Sequence, residues 1–296
     1  MDWARRLTIP VLGTMATALL LSALVTAQSA IAPQELVRLT VKNELKSDDK
    51  KFMFRDQKEG PNGSQTKLMV QTKDAMAGML IAVNGKPLAP DQRQQELARL
   101  NQLVHDRNAL EHKQKKEKED AGHVTRIMQA LPDAFVYEQD GTETGKSGIG
   151  KEGDELLRLK FRPNPKYNPP THTEQVLTGM NGYMLIDVNK KRLAKIDGTL
   201  FQDVGFGWGI LGHLDKGGRF VVEQGEVAPD HWEITHMNLA FTGKILFFKG
   251  INIKSNEVFS EFRSVAEDLT FAQGVELLKK EEDLLAENQS QSRNSK

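Results

Sequence analysis

The sequence predicts an α+β fold in which a strongly curved antiparallel sheet, an open half-barrel, is covered by a long helical insert. First, short apolar segments alternate with tight-turn residues from Val176 to Phe262, separated by pairs such as Gly217-Gly218 and Thr242-Gly243. The short connections leave no room for crossover helices, so neighbouring strands must pair antiparallel. Second, several strands carry apolar residues on both faces, which requires cover on both sides. Third, a long helical segment interrupts the strands.

Composition restricts the classes of partner and chemistry. The chain has 296 residues, with 40 Lys and Arg against 40 Asp and Glu, and no cysteine. A net charge of zero provides no global field for attracting nucleic acid. The lack of cysteine excludes disulfides, thiolate metal sites and the lipidated cysteine of bacterial lipoproteins.

The N-terminus has the pattern of an export signal. Arg5 and Arg6 precede an apolar run from Leu7 to Val25, and small residues follow at Val25-Thr26-Ala27. This order is typical of a cleavable signal peptide over residues 1–27 and predicts a periplasmic protein. An uncleaved membrane anchor remains the alternative, because the apolar run approaches the length that spans a bilayer.

The mature chain is expected to form a single domain over residues 33–280. It begins with a short amphipathic helix after Pro33 and continues as a hairpin meander. A last short helix is expected from Glu267 to Leu278. Residues 281–296 are polar and have little means of burying surface, so we expect a disordered tail.

The helical insert covers residues 91–131. Pro90 and Asp91 are typical of a helix start, because proline presets φ and an acidic residue suits the first turn. Leu97, Leu100 and Val104 recur at helical spacing. These three residues are the predicted lid over the sheet.

The middle of the insert is entirely polar. Residues 111–120 contain no apolar side chain, and opposite charges recur at i,i+4 spacing. Apolar stripes lie on either side of this segment. We therefore expect an arm that docks at both ends, with a bend near Ala121-Gly122.

Signals of catalysis or cofactor binding are weak. Residues 207–212 match the Gly-x-Gly-x-x-Gly dinucleotide fingerprint, but that fingerprint requires a following helix, whereas a hairpin follows here. Gly145-Lys146-Ser147 lacks the upstream glycine of a phosphate-binding loop at the required spacing. His231 and His236 are five positions apart on a strand and would point to opposite faces. The sequence predicts no cofactor, no metal site and no catalytic residue.

The excess of apolar side chains favours a curved sheet that encloses a ligand cavity. A sheet of this kind can wrap one face around an interior whose mouth holds an apolar ligand. The predicted cavity wall consists of Met184, Ile186, Phe220, Val222, Trp232, Ile234 and Phe247.

The order of elements resembles that of the LolA-like group of cell-envelope proteins: an export signal, a short helix, a hairpin meander, a helical segment and a long meander. That resemblance implies an open half-barrel around an apolar cavity and a periplasmic carrier of lipidated cargo. Four segments look more like an uncharacterised family of secreted bacterial proteins, with no known activity. They are Leu131-Pro132-Asp133-Ala134-Phe135, Phe161-Arg162-Pro163-Asn164-Pro165, Gly205-Phe206-Gly207-Trp208-Gly209 and Lys216-Gly217-Gly218.

These observations predict a non-enzymatic periplasmic binding or carrier protein for a hydrophobic ligand, such as a lipid or a lipoprotein acyl chain. The alternative is an envelope interaction or sensor protein that uses the charged helical arm, with the sheet as scaffold. A hydrolase ranks third.

Overall fold

The structure is a computed structural model that describes residues 31–46, 50–206, 212–245 and 249–294. The predicted signal peptide, residues 1–27, lies outside the described residues, as do positions 207–211 of the glycine motif. The described residues from 32 to 294 form one compact unit.

The described chain contains five α-helices and thirteen strands, with a 3-10 turn at Val176–Gly179. The helices are α1 (Pro33–Glu44), α2 (Pro90–His105), α3 (Arg107–Ala134), α4 (His172–Gln175) and α5 (Phe271–Asn294). The strands are β1 (Lys51–Gly60), β2 (Gly63–Val70), β3 (Ala77–Val83), β4 (Lys86–Pro87), β5 (Phe135–Thr144), β6 (Glu155–Pro163), β7 (Met180–Asp187), β8 (Arg192–Leu200), β9 (Val204–Phe206), β10 (Gly212–Leu214), β11 (Arg219–Ala228), β12 (His231–Ile245) and β13 (Lys249–Val265).

The strands form one open sheet in the order β4-β3-β2-β1-β13-β12-β11-β8-β7-β6-β5, with β9 and β10 attached beside β12. The pairings between these strands are antiparallel, and the end strands β4 and β5 do not pair with each other. This arrangement confirms the predicted fold class. The pairing of β1 with β13 joins the N-terminal meander to the C-terminal one.

Turn chemistry explains several of the hairpins. Asn84 and Gly85, between β3 and β4, have φ values of 52° and 70°. Positive φ at both central residues is the requirement of a type I′ turn, and Asn-Gly is its preferred sequence. The Asn84 side chain also accepts a hydrogen bond from the Ser64 N–H at 2.9 Å. The turn is therefore tied to the neighbouring β2.

The apolar core is divided into separate clusters. The largest lies under α1 and the C-terminal end of α3 and includes Leu36, Leu131, Met184 and Ile186. A second cluster lies between β1–β3 and the helices α2 and α5. A third, smaller cluster surrounds Trp232.

The first two clusters lie on opposite faces of the sheet. Val222, which packs against the first cluster, is opposite Met237, and Met237 is opposite Glu257. Glu257 is in turn opposite Lys58 on β1. Directly paired residues share a face and successive residues alternate, so Met53 faces the other side. Met53 belongs to the second cluster.

Helix α3 connects the two clusters, as expected for an arm that docks at both ends. Leu110 packs against the second cluster, whereas Ile127 and Met128 pack against the first. The expected bend at Ala121-Gly122 is wrong, because α3 continues through these residues. The break lies at Asp106, whose extended backbone ends α2 and whose carboxylate accepts the Ala109 N–H at 3.0 Å.

The C-terminal segment also differs from expectation. Helix α5 begins at Phe271 rather than Glu267 and continues to Asn294, so residues 281–294 are helical instead of a disordered tail. Glu282 accepts two hydrogen bonds from Arg93 Nε, at 3.0 and 2.8 Å. These charged contacts hold the middle of α5 against α2. They stabilise a polar segment that buries little apolar surface.

Candidate functional site

Four residues of the predicted cavity wall come together in a packed core. Met184 and Ile186 are 1% and 0% exposed, and Phe220 and Val222 pack against the same cluster. Leu36 of α1 is a member of that cluster. The space expected to hold a ligand is therefore filled by α1, and these residues do not line a cavity.

The other three predicted wall residues do not join that core. Trp232 is 6% exposed but packs in the third cluster, with Leu156, Leu185 and Ala194. Ile234 is 40% exposed. Phe247 lies outside the described residues. Thr235 is an extra residue of β12 without a directly opposite partner on β11, so the alternation along β12 shifts before Ile234 and Trp232.

The predicted lid is wrong as a cover for that wall. Leu100 is fully buried in the second cluster, and Leu97 and Val104 pack against it. This cluster lies on the face opposite Met184. The three leucine and valine side chains attach α2 to β1–β3 and α5, and they have no contact with the predicted wall cluster.

An aromatic strip follows β1 and β13. It consists of Phe52, Phe54, Phe259 and Phe262. The Phe54 ring stacks on Phe262 at 5.3 Å between centroids and meets Phe259 edge-on at 6.0 Å. Phe52 contacts Phe262 at 6.3 Å. Phe259 and Phe262 are only half-buried, so part of the strip faces solvent.

The aromatic strip lies on a part of the sheet that no helix covers among the described residues. The helices pack mainly against β2 and β3 at one end of the sheet and against β5 and β8 at the other. On the same face as the strip, Ile253 of β13 is 47% exposed and Ile234 of β12 is 40% exposed. Ile234, two residues before the pairing of His236 with Val258, extends the strip, whereas Ser255 and the Lys58–Glu257 ion pair lie between Phe259 and Ile253. The apolar surface at the strip therefore consists of half-buried aromatic rings and Ile234.

A polar cleft adjoins one end of the strip. His231 contributes to its lining and contacts the Phe52 ring edge-on at 6.3 Å. The cleft has a volume of about 870 Å³. Its lining residues are Asn43, Lys46, Lys50, Lys190, Arg192, Asp230, His231, Trp232, Ser264, Val265 and Glu267.

Two of the residues that line the cleft, Lys190 and Arg192, form ion pairs. Lys190 Nζ lies 2.7 Å from Glu226 Oε1, and this hydrogen bond raises the pKa of the lysine. Arg192 Nε lies 3.1 Å from Glu44 Oε1. Burial raises the pKa of Glu44, against the opposing effects of Arg192 and of the Leu193 N–H. Both cations also lie near the Trp232 ring, with distances to its centroid of 5.9 and 5.8 Å.

The helix α1 is clamped to the turn between β7 and β8 at this place. Asn43 Nδ2 donates to the carbonyl oxygens of Lys190 and Lys191, each at 3.2 Å. Buried Asp187 accepts the Asn189 and Lys190 N–H groups at 2.9 Å. The cleft therefore has a rigid wall on this side, and Asp187 caps the turn between β7 and β8.

Sequence reasoning missed the cleft because four distant segments build it. Lys46 follows α1, Lys190 lies between β7 and β8, Asp230 lies between β11 and β12, and Glu267 follows β13. Each is an ordinary charged residue at the end of an element. The one local signal was Trp232, placed on an otherwise polar turn.

The described residues contain no group of His, Asp and Glu side chains arranged to hold a metal ion. Within the same parts of the chain, no helix combines the length and the apolar composition needed to cross a bilayer.

Comparisons with known proteins give only distant similarity. No protein-family model and no curated protein matches the sequence. A domain from Vibrio parahaemolyticus described as an outer membrane lipoprotein-sorting protein is 10% identical, with a TM-score of 0.28, over 78% of this chain and 91% of that one. A DUF1329 family protein from Desulfovibrio piger is 8% identical, with a TM-score of 0.24, over 78% and 92%. At these values we infer no function from either likeness.

Proposed function

We propose that this protein is a non-enzymatic periplasmic binding or carrier protein for a ligand with a hydrophobic portion. The observation that supports this function is the aromatic strip together with the uncovered apolar surface beside it. The ligand surface is thus an open face of the central strands, and the predicted interior between Met184 and the lid is not used.

Covering the exposed apolar side chains of the strip with a ligand is more favourable than leaving them in contact with water. Burying apolar surface stabilises a complex by about 25 cal/mol per Å², so a half-buried ring and a neighbouring isoleucine can contribute measurable affinity. Aromatic side chains also hold their shape, because few rotatable bonds must be fixed on binding. An acyl chain lying across Phe259, Phe262 and Ile234 would cover this surface.

Native mass spectrometry of protein purified with its envelope lipids, and titration with the fluorescent fatty acid cis-parinaric acid, test the proposal. We expect co-purified lipid and saturable fluorescence. Phe262→Ser should weaken parinaric acid binding about tenfold, which corresponds to loss of roughly 1.4 kcal/mol of apolar contact. Ile234→Ser should weaken it by a smaller factor and leave folding intact, because that side chain is already 40% exposed.

Val124→Ser is the matched control, since Val124 is 63% exposed on α3 and lies outside the strip. It should leave parinaric acid binding unchanged. Absence of co-purified lipid together with no saturable fluorescence would overturn the proposed function. Equal loss in Ile234→Ser and Val124→Ser would show that the binding surface lies elsewhere.

The interaction or sensor role of the charged arm stays a prediction. Deletion of residues 111–120 would not separate the two functions, because α3 connects clusters on opposite faces of the sheet and its shortening by about 15 Å would disturb both. Charge reversal at exposed Lys115 and Glu119 would leave α3 in place and test partner binding alone.

A further inference from the structure

The polar cleft carries charges of both signs. Four lining residues are Lys or Arg, and two are acidic. Two of the cations are already neutralised, because Lys190 pairs with Glu226 and Arg192 with Glu44. The remaining charges determine which ligand the cleft can accept.

Lys46 and Glu267 of the lining form no ion pair with another described residue. Lys46 Nζ donates to the Asn43 side-chain oxygen at 2.9 Å, which is a neutral partner. Glu267 is exposed and forms no ion pair with another described residue. The two side chains come from different elements, the end of α1 and the end of β13, and do not pair with each other.

Arg192 supplies further hydrogen-bond donors to the cleft. Its buried Nε lies 3.1 Å from Glu44 Oε1 without the geometry of a hydrogen bond, and 22% of the side chain is exposed. A planar guanidinium presents paired N–H donors that match the oxygens of a phosphate. The cleft therefore has cationic donors at Lys46 and Arg192 and a carboxylate acceptor at Glu267.

We propose that the polar cleft binds a zwitterionic phosphate-and-amine group of the phosphoethanolamine class, with the phosphate at Lys46 and Arg192 and the amine at Glu267. This inference rests on the proposed function, because the contact between His231 and Phe52 places the cleft at the end of the aromatic strip. A phospholipid with an amine headgroup would occupy both surfaces at once.

The charge balance disfavours the simpler ligands. A purely anionic group would meet Lys46 and Arg192 but would be repelled by Asp230 and Glu267 in the same cleft. A purely cationic group would be attracted by Asp230 and Glu267 but repelled by Lys46 and Arg192. Only a ligand that carries both signs satisfies Lys46 and Glu267 together, and unpaired groups are the costly outcome of binding in a partly desolvated site.

Calorimetric titration of the full chain with soluble O-phosphoethanolamine, inorganic phosphate and glycerol 3-phosphate tests the inference. O-phosphoethanolamine should bind about fivefold more tightly than either of the other two, because one further exposed charge contact is worth up to about 1 kcal/mol. Lys46→Gln should weaken all three ligands. Glu267→Gln should weaken O-phosphoethanolamine alone and leave inorganic phosphate unchanged or tighter.

Lys86→Gln provides the control, because Lys86 is an exposed lysine on β4 at the far end of the sheet. It should leave all three affinities unchanged. Lys46→Ala is a second variant at the cleft, and a thermal melt confirms that each variant folds. Two results would overturn the inference: no saturable binding of O-phosphoethanolamine, or an equal effect of Glu267→Gln on O-phosphoethanolamine and phosphate.

A second pair of measurements distinguishes free and lipid sources of the group. Flotation with phosphatidylcholine vesicles, with and without phosphatidylethanolamine, should show binding only when the ethanolamine lipid is present. Phe262→Ser should abolish flotation but leave O-phosphoethanolamine binding unchanged. Retained O-phosphoethanolamine binding without flotation or co-purified lipid would refute the proposed function while supporting the cleft as a site for the free group.

Discussion

The substitution Leu100→Ala tests whether Leu100 of α2 stabilises the folded core or covers a ligand as a lid. The Leu100 side chain is completely buried in the second cluster, among residues of β1–β3 and α5. Truncating a buried leucine removes its transfer free energy and leaves a cavity, at a cost of about 2 to 5 kcal/mol. Because α2 joins the body mainly at β3, α3 and α5, we expect the upper half of this range.

The assay is thermal or urea unfolding followed by circular dichroism, with parinaric acid titration on the same samples. A loss of about 2 to 5 kcal/mol corresponds to a fall in Tm of roughly 4 to 20 °C for a domain near this size. Parinaric acid affinity of the folded variant should be unchanged, because Leu100 lies on the face opposite the aromatic strip. Leu97→Ala, at a half-buried neighbour, should show a smaller loss.

The lid interpretation makes the opposite prediction. If Leu100→Ala left the Tm within experimental error and weakened parinaric acid binding, the assignment of Leu100 to a core cluster would be refuted. Both effects together would show that the two faces are coupled through α3.

Three further substitutions test local features. Gly122→Ala should raise stability by about 0.5 to 1 kcal/mol in urea unfolding, because Gly122 is inside continuous α3 with open space around its Cα; a loss of stability would favour a bend there. Gly182→Ala should destabilise the protein by about 1 to 3 kcal/mol and lower the Tm accordingly, because the added Cβ would lie 1.9 Å from the Asp197 carbonyl oxygen. An unchanged Tm would contradict this close approach of β7 and β8. Glu44→Gln should gain stability relative to the native chain as pH rises. The pKa of Glu44 in the folded chain lies above its ordinary value of 4.5, so the native chain loses stability as pH rises from 4.5 through that folded pKa. The variant has no such loss. If the urea midpoints of the two proteins ran parallel from pH 4 to 7, the raised pKa would be refuted.

The sequence predicted the local elements of the fold well. Asn84-Gly85 and Gly217-Gly218 mark turns in both the sequence and the structure, because glycine and asparagine adopt positive φ at low cost. The antiparallel meander follows from short connections alone. The helical insert was also expected, with its apolar ends and solvated middle, because helical periodicity is readable without tertiary contacts.

The candidate site was predicted only in part. Met184, Ile186, Phe220 and Val222 do share one face, since strand alternation holds over short distances. Trp232 was assigned to the wrong cluster, because it packs with Leu156, Leu185 and Ala194 at the end of β12. Contacts of this kind depend on how the twisted strands of the whole sheet fit together and leave little trace in a hydrophobic pattern.

The sequence by itself determined the local elements of this protein: antiparallel strands, their turns, an amphipathic first helix and a long arm. Only the tertiary structure decided which face each helix covers. That choice depends on the pairing of Lys58 with Glu257, 199 residues apart in the chain, which fixes Met53 and Met184 on opposite sides of one sheet. Contacts at such separation are selected by the packing of the complete core and by loop closure, so no window of sequence contains them.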